Sequence, residues 1–191
     1  MARRPNLQNV DFRAALAGKT ALAAARRDVK TGGQALLEAW LEAGWQVARR
    51  QWRDPQISQH FLKERGGHGE NLSASLLLRV AEGLSREGKD PEVLEVCQFL
   101  EELEKDPTAA SPSPSQHAAL LSHKAASNEM LAGACDELAR QSHNGTESAK
   151  ISRMANEYRR QSIRAYEDLV DLFPDDEILK TKLALHKNAL K

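Results

Sequence analysis

The chain has 191 residues, no net charge and 41% hydrophobic content, enough for one domain with a real core or for two small ones. Aromatics make up only 5%, and Ala and Leu carry most of the apolar mass. That balance favours helices over sheets. No apolar run approaches the roughly 20 residues that span a bilayer, so no membrane role is expected. Two cysteines, Cys97 and Cys135, are too few for a disulfide framework and read as small buried apolar residues in a reducing, cytoplasmic compartment. The Arg-rich, nearly acid-free first 27 residues leave mitochondrial targeting as a minor alternative.

Charge is segregated along the chain. Residues 1–65 carry 12 Lys/Arg against 6 Asp/Glu, residues 66–110 carry 4 against 10, and residues 111–191 carry 11 of each. A basic block followed by an acidic block either pairs within the fold or faces outside partners.

In chain order, the pattern predicts an extended arm over the first ten residues. A first helix follows from Asn9 or Asp11, weakened at Gly18 and ending at Gly32-Gly33. A second runs from Gln34 to Trp52 and stops at Asp54-Pro55. A short third helix over 56–65 leads into the loop Gly66-Gly67-His68-Gly69. The fourth extends from Asn71 to Glu87 on a Leu72, Leu76, Leu77, Val80, Leu84 stripe, with Gly88 beyond its end. The fifth has Asp90 as cap, Pro91 in the first helical position and a stripe of Val93, Val96, Cys97, Leu100 and Leu103.

Residues 107–116, with three prolines among serines, predict an extended linker. Beyond it lie two long helices, 115–143 and one capped by Thr146 that Pro174 ends. Asn144-Gly145 joins them, which predicts an antiparallel hairpin. Asp175 or Asp176 then caps a terminal helix. The expected fold is all-α, in two parts: a bundle of about five helices over 1–106, and a hairpin plus terminal helix over 117–191. Tyr166–Asp176 resembles the second half of a tetratricopeptide repeat, with an aromatic, an apolar residue and a helix-ending proline. The first half does not match and no other segment repeats it, so the resemblance assigns no residue a role.

Catalytic and metal chemistry find little support. His117 and His123 are six residues apart, on different faces of their helix, and no Cys-x-x-Cys or His-Glu-x-x-His spacing occurs, so no metal or other cofactor is expected. The glycine-rich loop at 66–69 lacks the following Lys-Ser/Thr pair of a phosphate loop. An enzyme assembled from scattered residues would need His60 or His68 beside a carboxylate in a deep pocket.

The most unusual local feature is that all three tryptophans, Trp40, Trp45 and Trp52, lie within thirteen residues beside Arg49, Arg50 and Arg53. Trp40, Leu41, Gly44, Ala48 and Trp52 share one face, and Trp45 sides with Gln34, Leu37 and Leu41, so the helix is apolar over more than one stripe. The tryptophans are then core, with the arginines paired to the acidic 82–106 segment, or Trp and Arg form a protein-binding hot spot. In a third reading these arginines, with Arg3, Arg4, Arg26 and Arg27, follow a nucleic-acid backbone. The expectation is a non-enzymatic interaction protein, adaptor or small subunit, binding another protein or its own copy through this region. A nucleic-acid-binding subunit is the alternative.

Overall fold

In a computed structural model of the chain, the structure describes residues 23–24, 29–52, 71–105 and 112–190. The described residues form an all-α fold of seven helices: α1 (Val29–Ala43), α2 (Trp45–Trp52), α3 (Leu72–Arg86), α4 (Asp90–Glu104), α5 (Pro114–Gln141), α6 (Gly145–Leu172) and α7 (Glu177–Asn188). The expected arm, the third helix at 56–65, the loop at 66–69, most of the first helix and the first half of the linker lie outside the described residues. So do Arg3, Arg4, Arg26, Arg27 and Arg53.

The chain divides into two compact units, Met1–Gly83 with Glu101–Ser113, and Leu84–Leu100 with Pro114–Lys191. In the first, two breaks differ from expectation. Gly32 and Gly33 do not end a helix; both are buried inside α1. Glycine costs a helix interior about 1 kcal/mol against alanine, a penalty that apolar packing in the rest of α1 outweighs. The break falls instead at Gly44, where φ is +85°. Its N–H donates to the Trp40 carbonyl at 2.9 Å, and its carbonyl accepts from Val47 and Ala48, both at 3.2 Å. A single left-handed residue thus closes α1 and opens α2, and the helix expected over 34–52 becomes two.

The break lets the tryptophans meet. Trp40, Trp45 and Trp52 are only 1–2% exposed. Trp40 and Trp52 meet edge to face, with centroids 5.5 Å apart, a preferred aromatic geometry. Trp40 Nε1 donates to Gln51 Oε1 at 2.9 Å, satisfying the one polar atom that ring buries. Leu36, Leu37, Val47 and Ala48, with Ala74, Leu76, Leu77, Val80 and Ala81 of α3, are the other buried apolar residues described in this unit. Arg79 Nη1 donates to Gln34 Oε1 at 2.9 Å across α1 and α3.

The end of α3 is a Schellman motif. Gly88, at φ +69°, donates to the Ser85 carbonyl, and Lys89 N–H donates to that of Leu84, both at 3.0 Å. The Lys89 carbonyl then accepts from Glu92 and Val93, so α4 starts at Asp90 itself, one residue before the expected position.

In the second unit, Pro114 takes the first position of α5, where its missing N–H matters least. The two 28-residue helices α5 and α6 are antiparallel: Ser148 Oγ donates to the Ala139 carbonyl, Arg159 pairs with Asp136, and Ser162 Oγ donates to Glu129. The cap of α6 is Asn144 rather than Thr146. Its side chain accepts from Thr146 N and Glu147 N, because an Asx side chain reaches the N–H groups two and three residues ahead. Asp176 caps α7 in the same way.

Glycine substitutions test these assignments. Gly44→Ala and Gly88→Ala should each destabilise by about 1–2 kcal/mol, the cost of a left-handed alanine. Gly133→Ala, mid-helix with open space around its Cβ position, should instead stabilise by about 0.5–1 kcal/mol. Urea denaturation followed by circular dichroism measures all three.

Candidate functional site

Of the residues singled out in sequence, Trp40, Trp45 and Trp52 are interior, Arg49 is half-buried and Arg50 is exposed. The arginines fall in the last turn of α2, where a cation complements the helix dipole. The structure thus gathers the tryptophans into a core and leaves Arg50 at its surface. His60 and His68 lie outside the described residues. Among the described residues, no group of three or more His, Cys, Asp or Glu side chains converges as metal ligands would, and no helix is long and apolar enough to cross a membrane.

The hairpin carries two kinds of surface that the sequence reading did not single out. The first is polar and ties α7 to the pair. Glu129 of α5 accepts from Ser162 of α6 at 3.4 Å and meets His186 Nε2 of α7 at 2.9 Å. The His186 ring stacks on Tyr166, centroids 5.2 Å apart and planes within 11°. Burial raises the Tyr166 pKa well above the ordinary tyrosine value, and the Glu129 carboxylate that its hydroxyl bonds raises it further. One carboxylate therefore gathers donors from two other helices. Below this cluster, Leu121, Ala125, Ala165, Tyr166 and Leu169 form an apolar core on which Ala118, Leu179 and Leu183 pack. Lys187 adds an ion pair to Glu167 at 2.8 Å.

Nearer the turn, the same edge of the hairpin stays polar. Asp136 and Arg159 pair there, beside a shallow, open depression of about 550 Å³ lined by Asp136, Ala139, Arg140, Ser148 and Ser152. It is too open to shield a reaction from water.

The second surface is apolar and uncovered. Met130, Leu138 and Met154 are 64%, 56% and 45% exposed, and Ile178 and Leu185 on the outer side of α7 are 72% and 65% exposed. Leu131, Ala134 and Leu138 recur at three-and-four spacing along α5, and Ile151, Met154 and Tyr158 do so along α6. At about 100° per residue, both sets are displaced in the same sense from the buried seam, so in an antiparallel pair they emerge on one edge. It is the edge opposite the Asp136–Arg159 pair. Toward the base of the hairpin the α5 line passes through Ser127 and Leu120, both buried, and there Cys97 of α4 directs its thiol at the Leu120 carbonyl. The stripe is therefore buried at one end, where Cys97 of α4 reaches it, and open at the other.

The chain matches no family model, and no curated protein or solved structure matches it.

Two substitutions probe the polar cluster. Glu129→Ala should loosen α7 by about 1–3 kcal/mol, because it strips two helices of their acceptor; amide exchange should then quicken over 179–188 and stay unchanged in the middle of α6. Tyr166→Phe should destabilise the chain at pH 8. A raised folded-state pKa gives stability that is full below the unfolded value, about 10, and lost above it. The gap between wild type and Tyr166→Phe should therefore narrow between about pH 10 and 12 in urea titrations.

Proposed function

We propose that this chain works by binding another protein, as an adaptor or a small helical subunit. The observation that carries this reading is the apolar edge of the α5–α6 hairpin, where Leu138 and Met154 stand in solvent although the same stripe is buried at its other end. Large apolar side chains grouped on one face mark interaction sites, whereas single scattered ones do not. An amphipathic helix is the shape that such a stripe accepts.

The Trp/Arg segment supplies a second candidate contact through Arg49, Arg50 and Arg53. With the tryptophans in the interior, the cations would carry that contact.

Capture from the native host extract on the immobilised full chain, with nuclease-treated and untreated arms, tests the reading. A protein should be retained stoichiometrically in both arms, and Leu138→Glu/Met154→Glu should reduce its recovery at least tenfold. Equal loss with Arg49/Arg50/Arg53→Ala, and none with the hairpin variant, would move the contact to α2. Retention that disappears with nuclease would overturn the reading in favour of nucleic acid.

A further inference from the structure

We infer that the occupant of the open hairpin edge is the same edge of a second copy of this chain, in an antiparallel, two-fold arrangement of hairpins. The inference rests on the protein-binding reading above and names its partner.

The argument starts from the charges that frame the apolar stripe on α6. Lys150 lies four residues before Met154 and Glu157 three residues after it, and both are exposed. By helical spacing they flank Met154 on the same side. A surface that pairs with itself about a two-fold axis must be self-complementary, with residue i facing j while j faces i. An axis passing beside Met154 satisfies this. It places Lys150 against the partner's Glu157 and the reverse, sets methionine against methionine, and brings Leu131 and Leu138 of each copy toward the other α6. Among the described residues Glu157 meets Gln161 Nε2 at 3.3 Å and Arg160 at 3.7 Å, long intrahelical contacts on an exposed face that yield easily to an intermolecular one. The pairing would also extend the burial that the stripe already has at its base, at Leu120 and Ser127.

For a small, transient pairing of this kind a dissociation constant of about 10–100 µM is expected. Sedimentation equilibrium on the full chain from 5 to 300 µM reads it directly. Wild type should shift from monomer to dimer mass across that range. Leu138→Glu/Met154→Glu, both at exposed positions, should remain monomeric at 300 µM with an unchanged helical spectrum. Lys150→Glu alone and Glu157→Lys alone should each weaken association about fivefold, since two like-charge contacts replace two attractive ones. The double exchange should restore it. Monomer mass at 300 µM overturns the inference, as does a dimer indifferent to the hairpin variant or a charge exchange without rescue. If the chain is monomeric but still captures a different protein through Leu138 and Met154, the protein-binding reading stands without the self-pairing. If capture fails as well, both fall.

Discussion

The antiparallel seam between α5 and α6 is the constraint on which the second unit depends. Its register is set at the turn, where the Asn144 side chain takes the first free N–H groups of α6 and Ser148 bonds back to the Ala139 carbonyl. Once that register holds, Ser162 comes beside Glu129 and Arg159 beside Asp136. Everything attached to the pair inherits the alignment. α7 is only 12 residues long and none of its side chains is fully buried, so its placement relies on the acceptor that the pair presents at Glu129 and on the small apolar shelf around Tyr166.

The seam itself is polar where an oil-filled one would have served. Asn128 is fully buried, and its amide donates to the Lys124 carbonyl at 2.8 Å, while its Oδ1 accepts no hydrogen bond. Ser127 and Ser162 are buried as well. Small polar residues let the two backbones approach closely, and each is worth less stability than a leucine in its place. Ser162 contributes alignment, because a slipped register would take it away from Glu129 on the other helix. Long helices with repetitive Ala, Leu and Ser content have many near-equivalent registers, and a cross-helix bond of this kind tells them apart.

Much of this was legible in the sequence. The cap-and-stop signals placed most described helix ends within a residue or two: Gly88 after α3, Pro91 in the first turn of α4, Pro174 after α6 and Asp176 before α7 all act through local backbone chemistry that a reader of residues can apply, while the cap of α6 lies at Asn144, two residues before the expected Thr146. Glycines without such context misled. Gly32-Gly33 reads as a break and is helical, while Gly44 reads as one more small residue on a stripe and is the break. The difference is decided by whether the chain around each position can bury more apolar surface straight or bent. For Gly44 the bent path lets Trp40 reach Trp52. The tryptophan cluster was visible at once, but which way the rings faced was not, because a helix apolar over more than one stripe fits a core and a hot spot equally well until its break is known.

The exposed apolar edge was the least legible feature, for a different reason. Leu131, Leu138 and Met154 follow the same three-and-four spacing as the core residues beside them, so periodicity assigns them to the interior. Whether they are interior depends on the length of what covers them. The hairpin helices run for 28 residues, and α4 for 15. A 28-residue helix is about 42 Å long and a 15-residue helix about 22 Å. A single helix of the shorter kind cannot follow an edge of the longer kind to its end. Near Leu120 and Ser127 the stripe is buried, while Leu138 and Met154 toward its other end stand in solvent. On the opposite edge the equivalent stretch is polar, with Asp136, Arg140, Arg159 and Ser152. The composition of the two edges thus differs where neither is covered. Had the uncovered end only to meet water, the same polar residues would have suited both edges, and the apolar choice on one of them is what points to a partner.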